Sequence, residues 1–115
     1  MNKVVRKPWG EYTVIQEWKG HKLKGLLIKP GECTSLQVHK GRQETWHIVK
    51  GSGTAEVGDK LIVINEGDVI TVPQGEKHRL TALSDLGLVV FEIQTGICEE
   101  DDIVRLEDKY GRSSN

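Results

Sequence analysis

An all-β domain, built from many short strands as a sandwich or barrel, is the fold class this sequence predicts. Three observations predict it. β-branched and large apolar residues fall in short runs; turn-forming residues separate those runs at near-regular spacing; and no helix-period pattern occurs before about residue 99. The chain has 115 residues, enough for one domain around a single core.

The expected strands are residues 13–18, 23–28, 34–39, 45–49, 60–64, 68–72, 78–83 and 88–94. Turn chemistry divides them. Lys19-Gly20, Pro30-Gly31, Ser52 between Gly51 and Gly53, Glu66-Gly67, Pro73-Gln74-Gly75 and the stretch 84–87 each break a run. Gly58-Asp59 is suited to a two-residue hairpin turn. The tail from Glu99 to Arg112 has room for one helical turn, and 113–115 are expected to fray. The domain is therefore drawn as 1–112, with an N-terminal arm, a short C-terminal segment and a tail at 113–115.

Composition excludes several function classes. Lys+Arg total 16 against Asp+Glu 17, for a net charge of −1. That balance predicts neither a nucleic-acid surface nor a membrane surface, although local cations remain suited to an anionic small molecule. The N-terminus has no apolar signal-type run, and no segment reaches the length of a membrane span. Cys33 and Cys98 are too few for a disulfide framework and form no C-x-x-C. Reduced cysteines and a cytoplasmic location are expected.

Two stretches carry the chemistry. The first sets Gln37, His39 and Glu44 between Gly31 and Gly51; the second sets His78 after Pro73 and Gly75. Residues i and i+2 of a strand share a face, so Gln37 and His39 can converge. Glu44 follows a short connection, and His78 opens another strand. Two imidazoles, a carboxylate and an amide oxygen form a mixed N/O shell suited to a divalent transition metal. His21 and His47 fall outside this pattern and are left without a metal role.

These same residues carry a family resemblance. Gly31, Gln37, His39, Glu44 and Gly51 follow the spacing of the first cupin motif, with Gln in place of its first His; Gly67, Pro73, Gly75 and His78 follow the second. The resemblance implies a double-stranded β-helix, or jelly-roll barrel, with a metal at its mouth. More specific are Lys7-Pro8-Trp9-Gly10 with Tyr12, Arg42-x-Glu44-x-Trp46, Glu92-Ile93-Gln94 and the close from Asp101 through Arg105 to Tyr110-Gly111-Arg112. Together they resemble the C-terminal cupin domain of type II mannose-6-phosphate isomerases. In that family the domain follows a mannose-1-phosphate guanylyltransferase domain; here no such domain is present, so this chain is not expected to make nucleotide sugars alone.

The resemblance implies metal-dependent isomerisation of mannose 6-phosphate to fructose 6-phosphate, with a homodimeric protein and a sugar phosphate as its small-molecule partner. Gln37, His39, Glu44 and His78 would hold the ion, zinc first and manganese, cobalt, nickel or iron as others. The ion would stabilise an enediolate as a Lewis acid. Glu92 is the expected base, or Lys29 if burial depresses its pKa. Arg42 and Arg79 are expected to clamp the phosphate, with Gln94 beside the substrate. Gly25, Lys40, Gly41 and Thr45 depart from the family pattern, and each departure removes a polar or cationic group near the motifs. Two other readings stay open: an Fe(II) oxygenase on the same donors, and a non-catalytic metal- or sugar-binding module beside a separate transferase. Arg105, Tyr110 and Arg112 are expected at a subunit contact or lid, with no chemistry assigned.

Overall fold

The computed structural model describes residues 3–111. Eleven strands follow one another and, among the described residues, there is no helix. They are β1 (Val4–Lys7), β2 (Gly10–Trp18), β3 (His21–Ile28), β4 (Leu36–Val38), β5 (Arg42–Gly51), β6 (Gly53–Val57), β7 (Lys60–Ile64), β8 (Val69–Val72), β9 (His78–Ala82), β10 (Leu88–Gly96) and β11 (Val104–Glu107). Two antiparallel sheets result, one ordered β1-β2-β3-β10-β5-β8 and the other β11-β4-β9-β6-β7. The expected fraying of 113–115 lies outside the described residues.

Alternation builds the core. On β5, Arg42, Glu44, Trp46 and Ile48 are buried while Gln43 and His47 are exposed. β3 buries Lys22, Lys24, Leu26 and Ile28 in the same rhythm, and β10 buries Leu88, Val90, Glu92 and Gln94. The second sheet answers with Ala55, Val57, Ile64, Leu80 and Ala82 across one apolar cluster. Each fully buried Ile, Leu or Val there contributes about 1.5–3 kcal/mol relative to an exposed one.

Register decides what meets what. β10 lies between β3 and β5, with Glu92 opposite Lys24 on one side and Trp46 on the other; Gln94 stands opposite Lys22 and Glu44. In the second sheet, His78 stands opposite Gln37 and Val57. The buried charged groups are thus brought to one end of the barrel and the aliphatic ones to the other.

β1 is the strand of the expected N-terminal arm, and two strands were absent from the sequence expectation: β6 and β11. The hairpin between β6 and β7 turns at Gly58-Asp59 as expected, with Gly58 at φ 60°. The tail corrects the expected helical turn. After a turn at Glu100-Asp101 it runs extended as β11 and pairs with β4, Arg105 opposite Gln37. β-branched Ile103 and Val104 favour that conformation, and the ladder satisfies backbone groups that a single helical turn would leave unpaired.

Candidate metal centre

His39 lies just after β4, Glu44 on β5 and His78 at the start of β9, and their side chains converge at the polar end of the barrel. All three are at least 95 % buried. His39 Nε2 is 3.4 Å from Glu44 Oε2, and His78 Nε2 is 3.6 Å from Glu44 Oε1. One ligand atom from each residue lies within 4.8 Å of the others.

Backbone carbonyls orient both imidazoles. His39 Nδ1 donates to Asp102 O at 2.6 Å, and His78 Nδ1 donates to Glu76 O at 3.0 Å. Each Nδ1 carries the proton, so each Nε2 lone pair faces Glu44. Burial and then the Arg42 charge push the His39 imidazole down to about 4, and burial also lowers His78. Neutral imidazoles are what a metal ion requires.

These observations test whether a divalent ion suits the site. His78 Nε2 is buried without a hydrogen-bond partner, a costly state for a buried acceptor. Tetrahedral coordination at zinc–ligand lengths near 2.1 Å needs ligand separations of about 3.4 Å, close to those between Glu44 and the two imidazoles. The donor set fits, with Gln37 on the wall of the same cavity.

Glu44 is hydrogen-bonded to Glu92. Burial first, and the Glu92 carboxylate second, push Glu44 well above the usual carboxylate range. Burial also works against a charged Glu92, but Lys24, Glu44, Arg42 and Gln94 together outweigh it and hold Glu92 low. Two adjacent carboxylates ionise together only at a cost, and the pair is arranged to share a proton. Trp46 Nε1 donates to Glu92 Oε1 at 3.0 Å, and Gln94 Nε2 donates to Oε2 at 2.7 Å.

Beside the triad, reached through His39, opens a cavity of about 110 Å³. Lys7, Lys24, Arg42 and Arg105 line it with Glu92 and Glu100, and Trp9, Tyr12 and Trp46 supply flat apolar walls. Lys24 Nζ lies 3.9 Å above the Tyr12 ring centroid and bonds to Glu100. The segment 97–103, which brings Glu100 and Ile103 to the cavity wall, is its rim. There Asp102 accepts hydrogen bonds from the backbone N–H groups of Lys40 and Gly41.

Three expected roles are corrected by this arrangement. Lys29 is exposed and away from the cavity, so it is no base for it. Arg79 turns to Thr34 O at 3.0 Å and Glu107 O at 3.2 Å, which ties β9 to β11 rather than facing a phosphate. Gln94 is fully buried behind Glu92 and touches no cavity space. Arg42 lines the cavity, but Glu44 and His39 hold its guanidinium. Glu92 does line the cavity. His21 and His47 are exposed, away from the triad.

The departures from the family pattern also find places. Gly25 and Thr45 lie on the outward-facing positions of β3 and β5, not in the cavity. At Gly41 a Cβ would stand 2.9 Å from Ile97 Cβ, so glycine makes room for the rim segment. Sequence reasoning missed Lys7, Lys24 and Asp102 as site residues. A signal existed for Lys24: it shares the inward period of Leu26 and Ile28. Asp102 acts through its backbone carbonyl, which no residue type announces.

Comparison with known proteins adds the lineage. The family model described as Mannose-6-phosphate isomerase C-terminal matches residues 1–108. The xanthan biosynthesis protein XanB of Xanthomonas campestris pv. campestris (strain B100) is 42 % identical over 115 residues, covering 97 % of this chain and 24 % of that protein. The mannose-1-phosphate guanylyltransferase ManC of Salmonella typhimurium is 35 % identical over 113 residues, with the same coverage of 97 % and 24 %. The alginate biosynthesis protein AlgA of Pseudomonas aeruginosa is 36 % identical over 111 residues, covering 96 % and 23 %. The chain thus spans about a quarter of the length of these relatives.

Among solved structures, a cupin-2 domain from Rhodospirillum rubrum, Rru_A2000, superposes with a TM-score of 0.78 at 19 % identity, covering 95 % of this chain and 77 % of its own. The capsular polysaccharide assembling protein CapF of Staphylococcus aureus reaches 0.80 at 19 %, covering 94 % and 35 %. The fold is a single cupin barrel. The expected activity is corrected: these relatives are named for guanylyl transfer and polysaccharide biosynthesis, not for phosphomannose isomerisation. ManC is by its name an enzyme, a mannose-1-phosphate guanylyltransferase, and among the described residues no helix is long and apolar enough to cross a membrane.

Proposed function

The chain belongs to the mannose-6-phosphate isomerase C-terminal family of cupin domains, and from that premise we propose that it is a metal-holding, sugar-phosphate-binding module of sugar-nucleotide synthesis. One observation carries the reading. Two neutral imidazoles turn their Nε2 lone pairs to Glu44, and one of them, His39, lines a cavity whose walls also carry lysine and arginine. His39, Glu44 and His78, with Gln37 beside them, would hold the ion. When bound, it would supply a Lewis-acid site for hydroxyl or phosphate oxygens.

The protein's own groups do the rest. Lys7, Lys24 and Arg105 line the cavity where an anionic headgroup needs cations. Trp9 and Tyr12 offer apolar walls to the face of a sugar ring. Glu92, kept ionised, is an acceptor for sugar hydroxyls. The names of the relatives make mannose 1-phosphate the first ligand to try.

Calorimetry on protein reloaded with Zn2+ or Mn2+ after chelation tests the proposal. Mannose 1-phosphate is expected to bind wild type and to bind the Lys24→Met variant at least tenfold more weakly. Stoichiometric metal with no sugar-phosphate binding would sink the ligand reading; no metal uptake would sink the metal reading.

A further inference from the structure

Arg42 is 4 % exposed and sits against the triad rather than across the cavity from it. Its Nε donates to Glu44 Oε2 at 2.9 Å, its Nη2 to His39 Nε2 at 3.0 Å, and its Nη1 to Glu99 O at 3.4 Å. The first two acceptors are ligand atoms of the candidate metal centre. The imidazole lone pair on His39 accepts an N–H or binds a metal ion, but not both. A guanidinium and a divalent ion thus require the same lone pair.

From this geometry we infer that Arg42 is a resident cation that competes with the divalent ion for His39 and Glu44, and that metal entry releases its guanidinium to the cavity to receive an anion. The inference rests on the metal reading of the site. Without an ion, Glu44 and Glu92 lie together in a water-poor interior, a costly arrangement unless a cation is close. Arg42 supplies that cation and keeps Glu44 and His39 in position. With an ion present, Nη2 loses its acceptor, and like charge drives the guanidinium away. The bond to Glu99 O is the longest of its three and offers little hold. Arg42 already lines the cavity wall, so release leaves a planar five-donor group where phosphate oxygens would lie.

The consequence is reciprocal coupling. If metal frees Arg42 for an anion, the anion must strengthen metal binding by the same factor. A fixed phosphate clamp at Arg42 would instead contribute the same anion affinity with and without metal.

The test uses 15N-arginine-labelled full chain, with the Arg42 Nε–H resonance assigned by its loss in Arg42→Gln. One equivalent of Zn2+ should shift that resonance from a hydrogen-bonded to a solvent-exchanging position. Chelator competition should show Arg42→Gln binding Zn2+ about ten- to a hundredfold more tightly than wild type, the worth of one competing hydrogen bond from a charged group. Inorganic phosphate should bind the Zn2+-loaded wild type more tightly than the stripped protein, and in Arg42→Gln that gain should shrink to what the bound ion alone supplies. Arg42→Lys keeps the positive charge without the fork, and melting curves confirm that both variants fold. Zn2+ bound with the Arg42 resonance unmoved, or bound equally or more weakly by Arg42→Gln, would overturn the exchange alone. Failure of wild type and Arg42→Gln alike to take up Zn2+ would overturn the metal site itself.

Discussion

The two ends of the barrel are made by the same three strands and behave in opposite ways. β3, β10 and β5 each run from an aliphatic end to a charged one. At the first end Ile28, Leu88 and Ile48 are at most 1 % exposed and need only shape. At the second, Lys24, Glu92, Glu44 and Arg42 are buried almost as deeply, and each needs a partner. Both ends share one antiparallel ladder, interrupted between β10 and β5 by a register shift at Val89/Val90. Burial therefore stabilises the fold at one end, while at the other it perturbs charge and creates chemistry.

The widest separation of the two ends should come from Leu88→Ala. It removes a fully buried side chain at the aliphatic end and should cost roughly 2–5 kcal/mol by urea denaturation. The protein that remains folded should take up metal as wild type does. Loss of metal affinity in the folded fraction would show that the ends are not independent.

Acid should act on the other end. His39 titrates near 6.5 when unfolded and about 4 in the fold. Between those values the unfolded chain binds the extra proton. The contribution is therefore present above pH 6.5 and is lost as the pH falls towards 4. The loss for metal-free protein should be about 3 kcal/mol. His39→Gln should flatten that limb of a stability-against-pH curve, and an unchanged limb would assign it to other groups.

A smaller effect is expected at the rim. In Gly41→Ala the new Cβ meets Ile97 at 2.9 Å and Asp102 Oδ2 at 3.2 Å. The rim must shift, at about 1–2 kcal/mol. Because Asp102 O orients His39, zinc affinity should fall as well. A destabilised variant with unchanged zinc affinity would separate the rim from the metal centre.

Much of this contrast could be read from the sequence, and the missing part has one physical cause. Strand period and turn residues place His39, Glu44 and His78 on inward positions, because each depends only on local pattern. Period also assigns Lys22 and Lys24 an inward face, but nothing local says that Glu100 and Glu92 wait there to pair with them. The surroundings of Arg42 and Arg79 were hidden for the same reason. Arg42 lies between two ligands in sequence and Arg79 next to a third, yet one turns inward to Glu44 and the other along the sheet to Glu107. β11 was missed because its partner, β4, lies more than sixty residues away. Faces are local information; who stands across from a face is not.

Glu44→Gln sets function against stability at the charged end. A carboxyl raised by burial contributes stability below pH 4.5 and loses it as the pH rises through its folded value. An amide has no such dependence, so metal-free Glu44→Gln should stay within about 1 kcal/mol of wild type at neutral pH, even as metal uptake is lost. Smaller still is Gly25→Ala on the outward face of β3. There the added Cβ makes an ordinary contact with Ile15 Cδ1 at 3.5 Å, and strand glycine is replaced at a φ open to alanine. Stability should change by no more than about 0.5 kcal/mol, and zinc and phosphate affinities should not change at all. If ligand affinity did move, the family position at Gly25 would be reaching the cavity through Phe91 and β10, and the charged end would extend through the sheet to its outer face.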